Sequence, residues 1–534
     1  MLHDLVIALI LALLIAFLSV AARRLKFASP ILMLLAGAAL AFVPNAPAIA
    51  LDPDVVLLLL LPPLLYSSGV RMSWRGFRSN LRPILLLAIG CVLFTAAIVA
   101  AAVHFALGVS WPVGFVLGAI VSPPDSVAPM AVLSRVQLPR RLVTILEGES
   151  LVNDATALVA LSFALLAVGS SSFSLSAAAL QFVLIAAGEI AFGVLVGYVV
   201  LRLRHVVADP RAEVLLALAT PFIAFWPPHA AGGSGVVACV ISGLYVSWNG
   251  RDLIRPATRL QGYFIWDLIV WAVEALVFLL AGLQARSVLV TLTTEGWERV
   301  LAAGILTSVV VIAVRFVWVF PATYWPRLLF NSFRRKDPAP DWRQCFLVAF
   351  TGLRGAVSLA AALLIEPTIN GIPFPDRDLV LFATYSVIVV TLVGLGSALP
   401  AVVRGLGVER LGRAEARHNK EDERRVRLEA LDAVLQEIPS NAASVRTASL
   451  RHRHQDRRNF YADASSMDTM ISAPPNVIQD LNLLRIERET ISRAYTENRL
   501  TDEARRRIER ELDLEDARLR HAVDSAGAGD TEFS

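Results

Sequence analysis

The stretch Glu147-Gly-Glu-Ser-Leu-Val-Asn-Asp-Ala-Thr-Ala-Leu-Val159 places carboxylates, that of Asp154 among them, at the head of an apolar segment. The rest of this segment is apolar enough to cross a bilayer. A charged side chain near the bilayer centre costs at least about 2.5–3.5 kcal/mol on insertion scales, and it persists where it faces a bundle interior, a cavity or a partner. We therefore expect these carboxylates to have a function.

The composition of the whole chain is that of a membrane protein. Of its 534 residues, 56% are hydrophobic and only 18% are charged, and the mean hydropathy is +0.61. A soluble globule of this length is less apolar. Cys91, Cys239 and Cys345 lie inside or at the ends of apolar runs without metal-ligand spacing, so we expect small buried residues there. The sequence predicts an all-α polytopic membrane protein.

Thirteen apolar runs are long enough to cross about 30 Å of hydrocarbon as helices. Their approximate limits are 4–22, 29–48, 52–69, 83–106, 111–134, 142–169, 176–201, 212–230, 233–248, 263–285, 300–323, 344–366 and 379–403. Two interpretations fit the helix breakers between the eighth and ninth runs: a turn between two spans, or a break within one span. These residues are Pro227, Pro228, Gly232 and Gly233. Basic residues concentrate in alternate loops, which favours the turn. The positive-inside rule then predicts an outside N-terminus and a cytoplasmic C-terminus.

The composition changes near the end of the last run, and from Glu409 onward the chain is dense in Arg, Glu and Asp. Helical patterning covers roughly 416–437 and 478–522. The segment between Ser440 and Pro475 is rich in small polar residues and is predicted to be a linker. The predicted domains are a transmembrane helical bundle over 1–405 and a cytosolic helical tail over 406–534. A solvated tail that assists dimerisation or stability is favoured over a ligand-sensing domain.

Two of the predicted spans contain helix breakers. The fifth span includes Val121-Ser-Pro-Pro-Asp-Ser-Val-Ala-Pro129, and the twelfth includes Thr351-Gly-Leu-Arg-Gly-Ala-Val-Ser358. Both are expected to unwind locally, which at membrane depth is tolerated only where protein or a cavity surrounds the backbone. Spans one to six and eight to thirteen would form two halves, each with its fifth span interrupted. The spacing therefore predicts inverted repeats, two broken helices and an ion-sized cavity between them.

The sixth span supplies polar side chains for this cavity. On a helix, Glu149 lies one turn from Asn153 and Ser150 lies one turn from Asp154, so the four side chains form two adjacent rows on one face. Oxygen ligands suit a hard cation. A carboxylate at this depth can hold either a proton or a monovalent cation. Competition for one such site exchanges protons for cations.

Four motifs carry a resemblance to a known transporter family. They are Leu61-Pro-Pro-Leu-Leu-Tyr66, Ser122-Pro-Pro-Asp125, Glu147-Gly-Glu-Ser-Leu-Val-Asn-Asp154 and Gly352-Leu-Arg-Gly-Ala-Val-Ser-Leu359. Together they make about the first 405 residues resemble the monovalent cation/proton antiporters of the cation:proton antiporter 1 type. This branch includes archaeal and bacterial sodium/proton antiporters and the animal sodium/proton exchangers.

The resemblance implies roles for individual residues. Asp154 is similar to the aspartate that carries both the proton and the cation. Asn153 matches the asparagine that precedes this aspartate in the branch taken to be electroneutral. Ser150 matches a side-chain ligand, and the backbone carbonyl of Pro124 would face the ion. Asp125 matches the acidic residue at the helix crossover.

The resemblance also implies architecture and leaves one choice open. Glu149 and Arg354 would form a buried ion pair that joins the sixth span to the twelfth. The protein would be a homodimer in the lipid bilayer, with a core bundle that moves as an elevator against a dimerisation domain. The family often has Thr at the position of Pro124. It also often has a glutamate where this chain reads Ser67-Ser68-Gly69, and the absence of that acid leaves sodium or potassium open.

The leading prediction is an electroneutral sodium/proton antiporter of the cell (inner) membrane that controls cytoplasmic pH and salt. It would carry sodium and protons, with potassium or lithium as further candidate ions, and would need neither cofactor nor nucleic acid. One rival is a potassium/proton antiporter, and another is a non-transporting sensor that signals through the tail. Glu189 and Glu274, lone acids of the seventh and tenth spans, are not favoured as carriers. No nucleophile–base motif, phosphate-binding loop or metal cluster predicts an enzyme.

Overall fold

The computed structural model describes most of the chain in two compact units, Met1–Arg413 and Ala414–Ser534. Almost all of the described residues are helical. The described residues are 2–25, 27–44, 55–133, 136, 138–169, 175–207, 209–254, 256–286, 288–289, 297–329, 339–369, 372–438, 445–462, 475–497, 508, 511–517 and 519.

The first unit is a bundle of apolar helices. In chain order they are α1 (Leu2–Arg24), α2 (Ser29–Ala41), α3 (Val56–Arg71), α4 (Trp74–Ser79), α5 (Leu81–Leu107), α6 (Trp111–Val121), α7 (Val127–Leu133), α8 (Arg140–Gly169), α9 (Leu175–Val206), α10 (Pro210–Ala230), α11 (Val236–Leu253), α12 (Pro256–Leu283), α13 (Trp297–Leu329), α14 (Trp342–Phe350), α15 (Ala356–Leu363) and α16 (Arg377–Leu406). A π-helical segment begins α3 and interrupts α5 and α16. An antiparallel pair, β1 (Thr368–Ile369) and β2 (Ile372–Pro373), lies between α15 and α16.

Every one of the thirteen predicted runs contains helix. Within the described residues, six helices (α5, α8, α9, α12, α13 and α16) are long and apolar enough to cross a membrane alone, and α2, α3, α6 and α11 are shorter apolar helices. The prediction of an all-α polytopic membrane protein is confirmed, while the count of thirteen crossings and the orientation stay predictions. Between α10 and α11, Gly232 and Gly235 have φ of +87° and +70°. Glycine adopts these values without strain, so the chain turns there.

The helices of the first unit pack in two groups. Buried side chains of α5, α6, α8, α13, α15 and α16 form one cluster, in which Val113, Leu117 and Val387 have no exposed surface. Two further clusters join α1, α2 and α12, and join α3 to α9, α10 and α11; both also include side chains of the first group, such as Leu359 of α15 and Leu151 of α8. We call the helices of the first cluster the core bundle, and we call α1–α3 and α9–α12 the scaffold bundle. Both interrupted segments belong to the core bundle or border it.

Glycine permits a close crossing of α3 and α11 within the scaffold bundle. A Cβ atom placed on Gly243 of α11 would lie 2.5 Å from the carbonyl oxygen of Tyr66 in α3. A Cβ atom on Gly69 would lie 2.6 Å from the carbonyl oxygen of Val240. Both distances are shorter than real Cβ contacts, and the near atom is backbone. Small residues at such crossings let membrane helices approach each other closely.

We expect Gly243→Ala to destabilise the protein by about 1–3 kcal/mol, because the added methyl group must push α3 away from α11. The measurement is the melting temperature of the purified protein in detergent. The matched control is Gly188→Ala on α9, where an added Cβ meets nothing within 4 Å. Equal melting of the two variants would mean that the α3–α11 crossing is not tightly packed.

The second unit consists of polar helices. It holds most of α17 (Val408–Glu437), together with α18 (Val445–Ala462) and α19 (Pro475–Thr496). The linker predicted between residues 440 and 475 is wrong over α18. This segment carries arginine, leucine and glutamine, which favour helix. In addition, Nδ1 of His452 lies 2.6 Å from Oδ2 of Asp456, one helical turn later. Leu484, Leu512 and Leu519 form a small buried cluster.

Candidate ion-binding site

Two interrupted helices meet inside the first unit. The chain leaves helical conformation between α6 and α7, and again between α14 and α15. In the first interruption the backbone N–H of Asp125 donates to the carbonyl of Leu353 in the second, at 2.7 Å. The predicted local unwinding of both spans is confirmed. Each unwound segment provides hydrogen-bond partners for the other, as backbone at membrane depth requires.

Arg354 completes the end of α6. Its guanidinium is 1% exposed, and it donates from Nε to the carbonyl of Val121 at 2.9 Å and from Nη2 to that of Ser122 at 3.1 Å. It also donates to the carbonyl of Gly352. Its own backbone N–H donates to the hydroxyl of Thr391 in α16 at 3.0 Å. A cation at the carbonyl end of a half-helix compensates the partial negative charge there.

The ion pair predicted between Glu149 and Arg354 is wrong. Glu149 instead pairs with Arg315 of α13, through two bonds of 2.6 and 2.8 Å. Both side chains are 2% exposed, and Nε of Arg315 also donates to the carbonyl of Val348 in α14 at 3.1 Å. Arg354 is not available to Glu149 because the carbonyls at the interruption hold it. The signal that sequence reasoning missed was a lone arginine in the middle of the apolar run 300–323.

Asp125 lies at the start of α7. Its Oδ1 accepts from the backbone N–H of Val127 at 2.9 Å, and its other oxygen packs against the α-carbon of Gly355. A carboxylate is stabilised at a helix N-terminus by the dipole of that helix. Asp125 therefore compensates the partial positive charge at the start of α7, as Arg354 compensates the partial negative charge at the end of α6. Asp125 also lies within electrostatic range of Asp154.

Asn153 on α8 contacts the first interruption directly. Its Nδ2 donates to the carbonyl of Pro124 at 2.6 Å. Because a carbonyl can only accept, the amide nitrogen must face Pro124 and the amide oxygen must point elsewhere. That oxygen is buried and has no hydrogen-bond partner within the described part of the chain. An unpartnered buried acceptor is costly, and an amide oxygen is a suitable ligand for a hard cation.

Asp154 lines a small cavity between α8, the end of α6 with the first interruption, and α15. With a volume of about 10 Å³, the cavity has room for one water molecule. Among the residues that the structure describes, none forms a hydrogen bond or an ion pair with the Asp154 carboxylate. Ser150 lies one turn earlier on α8 and is half-buried. The other lining residues are Ala119, Ile120, Pro123, Ala157, Leu158, Leu161, Val357, Ser358 and Ala361.

The two other lone acids differ from each other in their surroundings. Glu189 is buried and accepts from the backbone N–H groups of Ser234, Gly235 and Val237 at 2.5, 3.0 and 3.0 Å. It therefore caps the start of α11, which is a structural role. Glu274 on α12 is half-buried and lies within electrostatic range of Asp125.

Comparison with known proteins connects this geometry to a family. The model of the family described as sodium/hydrogen exchanger, transmembrane, matches residues 9–405. An uncharacterised Na⁺/H⁺ exchanger of Mycobacterium tuberculosis is 33% identical over 534 residues, which is 97% of this chain and 96% of that protein. A sodium, potassium, lithium and rubidium/H⁺ antiporter of Bacillus pumilus is 32% identical over 383 residues, which is 70% of this chain and 57% of that protein.

The fold has also been seen in a solved structure. The sodium proton antiporter MjNhaP1 from Methanocaldococcus jannaschii, at pH 8, superposes with a TM-score of 0.60. The match covers 76% of this chain and 99% of that one at 19% identity, so it shows a shared fold. The family match spans all four sequence motifs, both interrupted helices and the Asp154 cavity. The chain therefore belongs to the sodium/hydrogen exchanger family of multi-pass membrane cation/proton antiporters.

Proposed function

We propose that this protein exchanges sodium ions for protons electroneutrally, with Asp154 as the shared carrier. The observation that carries the proposal is the Asp154 carboxylate, which borders a cavity and has no ion-pair partner among the described residues. Its neighbour Glu149 is neutralised by Arg315. Glu147 of the same span is exposed and does not line the cavity. Asp154 is thus the acid at the cavity that can bind either a proton or a cation.

The transport cycle follows from the cost of exposing a bare carboxylate to low dielectric. Protonated Asp154 is neutral, and ionised Asp154 with one bound sodium ion is neutral as well. Both loaded forms can pass between inward-facing and outward-facing states, whereas the empty carboxylate is held back. One proton then moves for each sodium ion, and the exchange is electroneutral.

The remaining ligands surround Asp154 on the same helix and at the first interruption. The unpartnered Oδ1 of Asn153 and the hydroxyl of Ser150 would complete part of the coordination shell. Asp125 would contribute at longer range. The carbonyl of Pro124 holds the Asn153 amide, and its second lone pair stays available to the ion.

The motion that we propose is an elevator movement of the core bundle against the scaffold bundle. The scaffold bundle would form a homodimer in the cell (inner) membrane, with the N-terminus outside and the C-terminus in the cytoplasm. The exchange would set cytoplasmic pH and salt. Potassium is the second candidate ion, since the B. pumilus antiporter of the same family is named for four alkali cations.

The test is cation-driven proton flux in proteoliposomes that contain the full chain and an internal pH dye. External sodium is expected to make the interior alkaline, and clamping the membrane potential with a potassium ionophore should leave the initial rate unchanged. A response to potassium alone would select the potassium antiporter. A correctly folded protein that responds to neither ion would favour the sensor, for which deletion of the residues after about 410 abolishes function.

A further inference from the structure

Glu274 of α12 is an acid of the scaffold bundle that lies near the ion-binding site without being one of its proposed ligands. It is half-buried. Among the described residues, none forms a hydrogen bond or an ion pair with its carboxylate. The charged groups within electrostatic range of it are Asp125 at the start of α7 and Arg71 at the end of α3. Ionisable residues within membrane helices are costly, and those that persist mark ion pathways.

The packing of α12 places Glu274 at the boundary between the two bundles. Phe278, one helical turn after Glu274, is 4% exposed. It belongs to the same buried cluster as Leu359 of α15 and Ala128 of α7, three residues after Asp125. Helices α2 and α15, which also pack against α12, carry no charged residue. Glu274 therefore brings a charge to an otherwise apolar contact beside the ion-binding site.

The face of α12 that carries Glu274 leads to an exposed end of the bundle. Asp267, seven residues before Glu274 and on the same face, pairs with Arg71 at 2.6 Å, and these side chains are 69% and 54% exposed. Seven helical residues span about 10 Å, so Glu274 lies two turns inward from this exposed pair. Arg75 and Arg78 follow Arg71 in the chain. The positive-inside rule places this basic end in the cytoplasm.

The neighbouring scaffold helix α3 brings no acid to the boundary. Between Leu61 and Arg71 it contains neither Asp nor Glu. The hydroxyls of Ser67 and Ser68 both donate to the carbonyl of Leu64 in their own helix, at 2.8 and 2.9 Å. The negative charge on the scaffold side of the site therefore comes from α12 and not from α3.

Glu274 and the ion-binding site belong to different bundles, so a movement of one bundle changes the distance between them. The field of a carboxylate lowers the free energy of a nearby cation and weakens with distance. In this structure Asp125 lies within range of both Glu274 and Asp154. A displacement of the core bundle would carry Asp125 and Asp154 together and would leave Glu274 behind. The charge of Glu274 then acts on the site in one of the two states.

We propose that Glu274 is a positioning residue of the scaffold bundle that strengthens cation binding at Asp154 from the cytoplasmic side and not from the outside. It does not coordinate the ion and acts through its charge. The inference rests on the proposed exchange of sodium for protons by movement of the core bundle. It makes the side from which sodium leaves the cell the high-affinity side.

The experiment measures sodium-driven proton movement in membrane vesicles that contain the full chain, from a host strain without sodium/proton antiporters of its own. Inside-out vesicles expose the cytoplasmic face to added sodium, and right-side-out vesicles expose the other face. KM and the maximum rate are determined at alkaline pH, where protons compete little for Asp154. The variants are Glu274→Gln and Glu274→Asp. The matched control is Glu298→Gln, at an exposed acid in the first turn of α13.

We expect Glu274→Gln to raise KM for sodium about threefold in inside-out vesicles, at an unchanged maximum rate, because a unit charge across partly solvated space changes affinity by this order. KM in right-side-out vesicles should not change. Glu274→Asp keeps the charge and should lie closer to the wild type than Glu274→Gln does. Glu298→Gln should match the wild type on both faces. At acid pH the difference should shrink, because the charge strengthens binding of the competing proton as well.

Three results would overturn the role of Glu274. They are an unchanged KM of Glu274→Gln on the cytoplasmic face, an equal rise of KM on both faces, and a lower maximum rate at unchanged KM in both Glu274 variants, which indicates a structural role alone. In each of them the wild type still exchanges sodium for protons. Wild-type vesicles without sodium-driven proton movement would instead contradict the proposed exchange itself, and the role of Glu274 with it.

Discussion

Asp154→Asn protein is expected to fold and to reach the membrane, yet to exchange cations and protons no faster than protein-free liposomes. The amide has nearly the shape of the carboxylate, so packing around the cavity should persist. It carries no titratable proton and no negative charge for a cation. Both halves of the cycle depend on the same oxygen atoms, so both fluxes should disappear together.

Proton flux with an internal dye and uptake of radioactive sodium measure the two halves separately. Asp267→Asn is the matched control, because Asp267 is an exposed acid on α12 whose carboxylate pairs with Arg71 at 2.6 Å. Its loss removes the same charge from a membrane helix outside the site, and transport should be retained. Glu274→Gln is the second comparison, since Glu274 is a half-buried acid near Asp125.

Exchange by Asp154→Asn at the wild-type rate would contradict the mechanism. If Glu274→Gln were inactive in the same assay, Glu274 would replace Asp154 as the carrier. Retained proton flux with lost sodium uptake would show instead that the two ions use different groups.

Arg315→Ala is expected to lower the yield of folded protein more than any other single change at the site. The substitution leaves the Glu149 carboxylate buried without its partner, which costs about 3–5 kcal/mol. It also removes the donor to the carbonyl of Val348, and with it a connection between α13 and α14. Folded protein can be measured as the monodisperse fraction in fluorescence-detected gel filtration, together with the melting temperature.

Arg299→Ala is the matched control, because Arg299 lies on the same helix and pairs with Asp376 at 3.1 Å with 43% of its side chain exposed. An exposed pair contributes about 0–1 kcal/mol, so this variant should melt close to the wild type. The double variant Glu149→Gln/Arg315→Met removes both charges and should recover part of the loss. A folded, stable Arg315→Ala protein would mean that Glu149 is neutralised in another way.

Local chemistry explains which features the sequence could predict. The interruptions were predictable because Pro123, Pro124 and Gly352 are poor helix formers and Asp125 and Arg354 are costly in hydrocarbon. The neighbourhood of Ser150, Asn153 and Asp154 followed from helical spacing alone. These inferences concern residues close together in sequence, where the period of the helix fixes the geometry.

Contacts between distant segments were not predictable in the same way. Glu149 had two buried arginines as possible partners, and only the positions of α13 and of the second interruption decide between Arg315 and Arg354. The family resemblance led to Arg354, whose guanidinium in fact holds the end of α6. Likewise, residues 440–475 have the overall composition of a linker, and this concealed the helix-forming residues of α18 within them.

The hydrogen bonds between the two interruptions bear on how the protein is made. Arg354 donates to the carbonyl of Val121, 233 residues earlier in the chain. A growing chain that has inserted its fifth span but not yet its twelfth lacks this donor, and unsatisfied backbone in hydrocarbon is expensive. During synthesis, the unsatisfied backbone of the first half must therefore be shielded from lipid, by the insertion machinery or by other helices. A stop codon before Leu353 should produce chains that are degraded, even though most of the membrane helices have been synthesised.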